Sequence, residues 1–359
     1  MLMRLFFSGG KPGSQNFGQI LKLYNRNVLK SDKLTENYSE QGEWDRGFSD
    51  HYQSHLKVLV DEFETERIAA ASLARKKLIW LTPLFALILV IGWQINLWEL
   101  NETDEFAGIG FYFIVFSYAV LFWYIKKSIV TYQKSIKNQI FPRILSFIGD
   151  FTFSAEVSDR VGRFKDSGLL PAFSTEENED NIIGEYQGVQ IELFETHLEK
   201  WKKRGKNSRL VTVFNGLIIN LSMNKRFNGK TLVKQDKGSV GNWFSKKSSK
   251  LENVKLEDPR FENTFEVFSS DQIEARYLLT VSFMERLLEL AEIFNNTKIQ
   301  LCFENNNLLM VVPLKKPIFE PGPITEPEDF IDDSQSLLKE MHLIFQIIET
   351  LKLNMKLNL

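Results

Sequence analysis

Leu78-Ile-Trp-Leu-Thr-Pro-Leu-Phe-Ala-Leu-Ile-Leu-Val-Ile-Gly-Trp-Gln-Ile-Asn-Leu-Trp98 is a run of 21 residues without a charge, and Phe106-Ala-Gly-Ile-Gly-Phe-Tyr-Phe-Ile-Val-Phe-Ser-Tyr-Ala-Val-Leu-Phe-Trp-Tyr-Ile125 is a second of 20. At about 1.5 Å rise per residue, each predicts a helix of about 30 Å, the thickness of a bilayer's hydrocarbon core. A helix buried in a soluble core rarely needs that length uninterrupted, and two in tandem weaken that alternative further. Arg75, Lys76 and Lys77 precede the first run, and Lys126 and Lys127 follow the second. The linker between them carries Glu99, Glu102, Asp104 and Glu105 and no basic residue. Positive flanks stay cytoplasmic, so the pattern predicts a transmembrane hairpin with both chain termini in the cytoplasm. Trp80, Trp123 and Tyr124 are expected at the inner interface, Trp98 and Phe106 at the outer one. Pro83 is expected in the first turn of its span, where a missing N–H costs little. Neither run contains Gly-xxx-Gly, the pattern for tight helix dimerisation, and neither contains an ionisable residue, which a proton relay or charged-substrate path needs.

The rest of the chain divides around this pair. Residues 8–50 are polar and contain Gly9, Gly10, Gly13 and Gly18, which predicts a flexible N-terminal arm over residues 1–50 with a short helix near 20–29. Residues 51–147 read as a helical stalk plus the hairpin, with spans 78–98 and 106–125. Leu56, Leu59, Phe63, Ala70 and Leu73 form one stripe, and Ile125, Ile129, Tyr132, Ile136 and Ile140 another. The two stripes either pack against each other as an antiparallel stalk or rest on the soluble domain or the headgroups.

Residues 148–359 change to period-two alternation, which predicts a cytoplasmic domain. Hairpins are expected at Gln187-Gly188, at Asn215-Gly216 and around Asn305-Asn306-Asn307, with further strands at 231–234, 254–256, 265–268 and 273–279. Phe283, Met284, Leu287, Leu288, Ala291 and Phe294 predict a helix capped by Ser282 and Glu285, and a second helix is expected over about 334–353. The fold class is therefore α+β: a two-helix transmembrane hairpin with helical extensions, plus an antiparallel-sheet domain with two helices near its C-terminal end.

Three blocks of residues carry a resemblance. They are Phe214-Asn-Gly-Leu-Ile-Ile-Asn-Leu-Ser-Met-Asn-Lys-Arg-Phe-Asn-Gly-Lys-Thr231, Val254-Lys-Leu-Glu-Asp-Pro-Arg-Phe-Glu-Asn-Thr-Phe-Glu-Val267, and Ser270-Asp-Gln-Ile-Glu-Ala-Arg-Tyr277; Met284-Glu-Arg-Leu-Leu288 adds a shorter fourth. Together they resemble the bacterial membrane-protein family catalogued as domain of unknown function 3137. The resemblance runs from about Asp61 to the C-terminus and departs from the family in the enlarged, more basic loop 238–250. It implies a membrane hairpin with a cytoplasmic domain in the bacterial inner membrane, and no activity.

Candidate chemistry is sparse. Asn224 to Thr231 ends in Gly-Lys-Thr after a strand, one glycine short of a phosphate loop, and no helix is expected to follow it; a hairpin turn is the plainer reading. His51 and His55 lie one helical turn apart without a third ligand, and His197 and His342 stand alone, so no metal is expected. Asp271, Glu274 and Arg276 can be read as a catalytic cluster, but Glu274 and Arg276 paired on one strand face are the plainer, structural reading. Cys302 is the single cysteine and lies in an apolar stretch, which fits a reducing compartment. Net charge is −2, so no nucleic-acid partner is expected, and no cofactor motif is present.

Two basic stretches with aromatics remain: Trp201, Lys202, Lys203 and Arg204 in one loop, and Trp243, Phe244, Lys246 and Lys247 in another. Two solvated hairpin loops are the plainer reading, since charge runs usually are that. Basic residues near an anionic leaflet gain about 1 kcal/mol each, and tryptophan favours that interface, so the sharper reading is contact with anionic lipid headgroups or a protein partner. The expected function is non-catalytic: a membrane-anchored cytoplasmic binding domain, scaffold or regulator with an unidentified protein partner. The alternative is a hydrolase or transferase acting at the membrane on a lipid or nucleotide. A polar-lined cleft with convergent titratable groups would favour the enzyme.

Overall fold

The computed structural model describes residues 17–30, 37–102, 109–204, 207–235, 251–293, 298–314, 322–327, 329–351 and 353; for 17–19, 98–102, 109, 204, 207, 292 and 293 it describes the backbone alone. Two compact units divide the chain: Met1–Arg143 with Glu320–Ser336, and Ile144–Phe319 with Leu337–Leu359.

The first unit is helical. Helix α1 (Phe17–Lys22) is followed by 3-10 turns at Arg26–Leu29 and Glu43–Asp45, then by α2 (Phe48–His51). A π-helical turn, Tyr52–Leu56, leads into α3 (Lys57–Glu102), and α4 spans Ile109–Leu145. Within the segment read as a flexible arm, residues 17–30 and 37–50 form turns that bury Ile20, Leu23, Val28, Tyr38 and Phe48.

Two helical stretches, Glu43–Leu97 and Gly110–Leu145, are long and apolar enough to cross a membrane. A core helix of a soluble protein is mostly buried; the most apolar 18-residue windows here are 6% and 11% buried. The helices touch along their length. Lys77 Nζ donates to Ser128 Oγ at 2.7 Å, and the rings of Phe85 and Tyr118 are 5.2 Å apart. A Cβ added to Gly110 would sit 2.3 Å from the carbonyl oxygen of Gly92, so the two backbones meet there and only glycine fits. Pro83 lies inside continuous helix rather than in a first turn, so the carbonyl of Ile79 loses its helical donor. The Thr82 hydroxyl donates to the neighbouring carbonyl of Leu78 at 2.7 Å.

Toward the basic flanks the stripes are buried. On α4, Ile125, Ile129, Tyr132, Ile136 and Ile140 are all inside. On α3 and the turn before it, Leu56, Val60, Phe63, Arg67, Ala71 and Ala74 are inside, while Leu73, expected among them, is 49% exposed. His51 Nε2 lies 2.8 Å from the carbonyl oxygen of Arg143, and Lys77 reaches Ser128, so the extensions meet at both ends. Ile324, Asp329 and Phe330 pack on the stripe. Tyr52 donates to the carbonyl of Asp329 at 2.7 Å, and the rings of Phe63 and Phe330 stand edge to face at 5.3 Å. Arg67, 0% exposed, forks onto Glu64 and donates to the carbonyls of Val28 and Ile324.

Asp333 in this unit is buried. Burial, with Asp332 and Asp329 beside it, pushes its carboxyl from 3.8 up to about 7, against the opposing pull of a Gly322 backbone hydrogen bond and of Lys137. A folded-state value above the unfolded one means that the folded state binds more protons between those two values. Stability therefore falls as pH rises from 3.8 to about 7 and levels off above. Asp333→Asn is expected to remove this slope and to raise the melting temperature at pH 8, as read from thermal unfolding across that range.

The second unit is an antiparallel sheet. Its strands are β1 (Thr152–Val157), β2 (Thr175–Tyr186), β3 (Val189–Arg204), β4 (Asn207–Ser222), β5 (Thr231–Lys234), β6 (Glu252–Val254), β7 (Glu266–Ser269), β8 (Gln300–Glu304) and β9 (Asn307–Pro313). Among the described residues they order as β1-β2-β3-β4-β9-β8-β5-β7-β6. The tight turns fall where the sequence places them at Gln187-Gly188 and Asn305-Asn306, all four with positive φ, as the primed hairpin turn demands.

Three short helices, α5 (Pro259–Thr264), α6 (Gln272–Leu278) and α7 (Val281–Ile293), fall between β6 and β8, and α8 (Ile331–Leu351) closes the chain order. Sheet register separates two faces. Leu193, Ile219, Met310, Leu301 and Phe303 share one, on which α7 packs through Phe283 (5.8 Å from Phe303) and α8 through Phe345, stacked on Tyr186 at 4.0 Å. Phe194, Ile218, Val311, Leu309 and Cys302 share the other, covered by Val161, Leu169 and Leu170.

Three local expectations differ from the structure. Asn215-Gly216 is not a turn: β4 runs straight through it, and Gly216 lies against β9, where an added Cβ would be 2.3 Å from the carbonyl oxygen of Val312. Residues 273–279 are not a strand. Asp271 caps α6, its carboxylate accepting from the N–H groups of Ile273 and Glu274. The cap of α7 is Thr280 rather than Ser282, its hydroxyl accepting from Phe283 N at 3.3 Å.

Candidate membrane-surface site

The first basic stretch was expected as a loop; it is the end of β3. Strand register pairs Trp201 with Leu210, Lys202 with Arg209, Lys203 with Ser208 and Arg204 with Asn207. β2 pairs with β3 only as far as Glu199, and β9 joins β4 only from Gly216 onward. Among the described residues, 200–204 and 207–211 therefore form a two-stranded ribbon extending past the sheet.

Alternation along the ribbon sorts its side chains. Lys200, Lys202 and Arg209 share one face and are exposed; Trp201 (55% exposed), Lys203 and Leu210 share the other. Residues 200–211 include six basic residues and no acid. Lys202 and Arg209 stand directly opposite each other, and like charges in that position destabilise a ribbon unless an anion lies across them. The ribbon therefore concentrates positive charge, with a tryptophan ring on its reverse face.

The root of the ribbon is pinned by a residue that the sequence left standing alone. His197 is buried between β2 and β4. Its Nδ1 lies 3.3 Å from Asn215 Oδ1, and its Nε2 lies 3.3 Å from Thr212 Oγ1 and 3.7 Å from Glu199 Oε1. Asn215 also donates to the carbonyl of Leu314 at 3.2 Å, which ties the ribbon to the end of β9. No local motif marks this set, because its members come from different strands.

Trp243, Phe244, Lys246 and Lys247 lie outside the described residues, and Arg204 is placed by its backbone alone.

The remaining candidates resolve into structure. Around Asn228-Gly229, the N–H groups that would cradle a phosphate donate to Glu274, at 2.7 Å from Asn228 and 2.6 Å from Gly229. Lys230 N donates to Ser270 Oγ at 2.9 Å, and Thr231 starts a strand. Arg276 donates to the carbonyls of Gln272 and Lys255, so Asp271, Glu274 and Arg276 each serve backbone groups. His51 and His55 stack at 4.3 Å, and burial lowers the His51 pKa. No group of three His, Cys, Asp or Glu side chains that could hold a metal ion occurs among the described residues.

Comparison with known proteins agrees with the family read from the sequence. Residues 212–353 match the family model described as protein of unknown function (DUF3137). The match takes in the three blocks quoted above from residue 212 onward, and does not reach the apolar runs. No curated protein matches. A solved structure, the mycobacterial trehalose monomycolate transport factor A, TtfA, aligns at 13% identity over 58% of this chain and 91% of that one, with a TM-score of 0.31. At that score the likeness carries no argument.

Proposed function

We propose that this chain is a non-catalytic binding domain anchored in the bacterial cytoplasmic membrane. α3 and α4 cross the bilayer as a hairpin, and both termini and the sheet unit stay in the cytoplasm. The exposure of the apolar windows supports anchoring. So do the aromatic rings beside the basic flanks: Trp80 is 80% exposed, Trp123 62%, and Lys77 lies over the ring of Tyr124 at 4.2 Å. The ribbon is the surface that binds, as scaffold or regulator, and its opposed Lys202 and Arg209 are the observation that carries the reading. A domain tethered to a membrane meets anionic headgroups at high local concentration, and these complete the like-charge pair.

The test places an environment-sensitive dye at Ser208→Cys in the full-length protein, in nanodiscs whose headgroups bear a nitroxide quencher. Quenching is expected with anionic lipid and not with neutral lipid. Changing Lys202, Lys203 and Arg209 to Ser is expected to weaken it by about 3 kcal/mol, at about 1 kcal/mol per basic residue. Salt at about 1 M, where the screening length is about 3 Å, is expected to do the same. Equal quenching in neutral lipid would remove the ribbon from this role.

A further inference from the structure

A cavity of about 150 Å³ lies between α1 and the apolar halves of α3 and α4, its wall including Ile20, Leu81, Phe85, Tyr118, Phe122 and Ile125. We propose that it holds a segment of one acyl chain of a phospholipid from the leaflet beside the basic flanks. The inference rests on the reading that α3 and α4 span the bilayer.

Position names the occupant. The wall runs over residues 78–85 of α3 and 118–125 of α4. Seven residues of helix rise about 10 Å, which falls within one leaflet of a hydrocarbon core about 30 Å thick. Water is absent from that layer, so an apolar cavity there fills with hydrocarbon. Lys77 adjoins the first wall residue of α3, and Lys126 and Lys127 adjoin the last of α4, so positive charge flanks the end where a lipid phosphate sits.

Chemistry agrees. Two hydroxyls on the wall, Tyr24 and Thr82, bond each other at 2.6 Å and leave little to offer a polar ligand. The same bond fastens the chain just past α1 to α3, so that Ile20 closes one side. Size narrows the choice further. A cavity of about 150 Å³ lined by Leu, Ile and Phe takes a molecule of benzene's size. A run of methylenes fits it, and a partner helix about 10 Å across does not.

The test is native mass spectrometry of the full-length protein purified in mild detergent. The wild type is expected to carry one phospholipid. Leu81→Trp, which fills the cavity from the span, and Ile20→Trp, which fills it from α1 and leaves the spans untouched, are each expected to lower that occupancy at least tenfold. Membrane extraction of both variants should match the wild type, which separates failure of the cavity from failure of the spanning helices. A wild type without lipid, or Trp variants that retain it in full, would overturn the proposal. A wild type that gains lipid only after residues 2–16 are deleted would assign the cavity to the chain's own N-terminus instead.

Discussion

Arg67→Met is expected to destabilise the helical unit by about 3–5 kcal/mol, the usual cost of removing one partner from a buried ion pair. The guanidinium donates through Nε and Nη2 to the two oxygens of Glu64, both at 2.7 Å, and through Nη1 to the carbonyls of Val28 at 3.0 Å and Ile324 at 2.8 Å. Its loss strands a carboxylate and two carbonyls away from water. It also releases the turn at Val28 and the segment at Ile324 from α3. Arg67→Lys keeps the charge but not the fork, so most of the loss should remain. Arg67→Met combined with Glu64→Leu should recover most of it, because no charge is then buried alone. Denaturant titration of the full chain in detergent measures all three. A loss for Arg67→Met below about 1 kcal/mol, the level of a surface pair, would contradict the buried network.

Gly216→Val is expected to cost the sheet unit about 1–3 kcal/mol or more, the range for overpacking a tight site. The new Cβ would stand 2.3 Å from the carbonyl oxygen of Val312 and 3.0 Å from the Cα of Pro313. Both are backbone atoms, so neither can swing aside as a side-chain tip would. β9 must then move off β4 at the point where their pairing begins. In a unit of this size each 1 kcal/mol should lower the melting temperature by about 2–4 °C. An unchanged melting temperature would mean that the two strands do not approach this closely.

Gly216 also shows where the sequence stops being legible. Gln187-Gly188 and Asn305-Asn306 lie between short alternating runs, and their turns are made by local backbone preference alone, so each could be read in place. Asn215-Gly216 carries the same dipeptide signal for a different reason: the glycine makes room for a strand almost a hundred residues away. Residues 272–278 are a single short helix, over which period two and period three fit equally well; the cap at Asp271 was the deciding signal. The basic stretch at Trp201 looked like a loop because both faces of a two-stranded ribbon are wet, which erases the alternation that marks a strand.

The apolar helices were legible from length alone, and so was the buried stripe of α4, whose isoleucines keep helical spacing throughout. Beyond the short helix near 20–29, residues 17–30 and 37–50 were not, since Ile20, Leu23, Val28, Tyr38 and Phe48 sit on separate short elements with no common period. Of the candidate site, the basic and aromatic residues could be read from the sequence, but the opposition of Lys202 to Arg209 and the anchoring of His197 needed the register.

Alkaline carbonate extraction of membranes from cells expressing the full chain tests the anchoring most directly. The protein is expected to stay with the sedimented membranes through the high-pH wash and to be released by detergent, because two uncharged helices in hydrocarbon have no charge for alkali to remove. Release into the supernatant by carbonate alone would contradict the account.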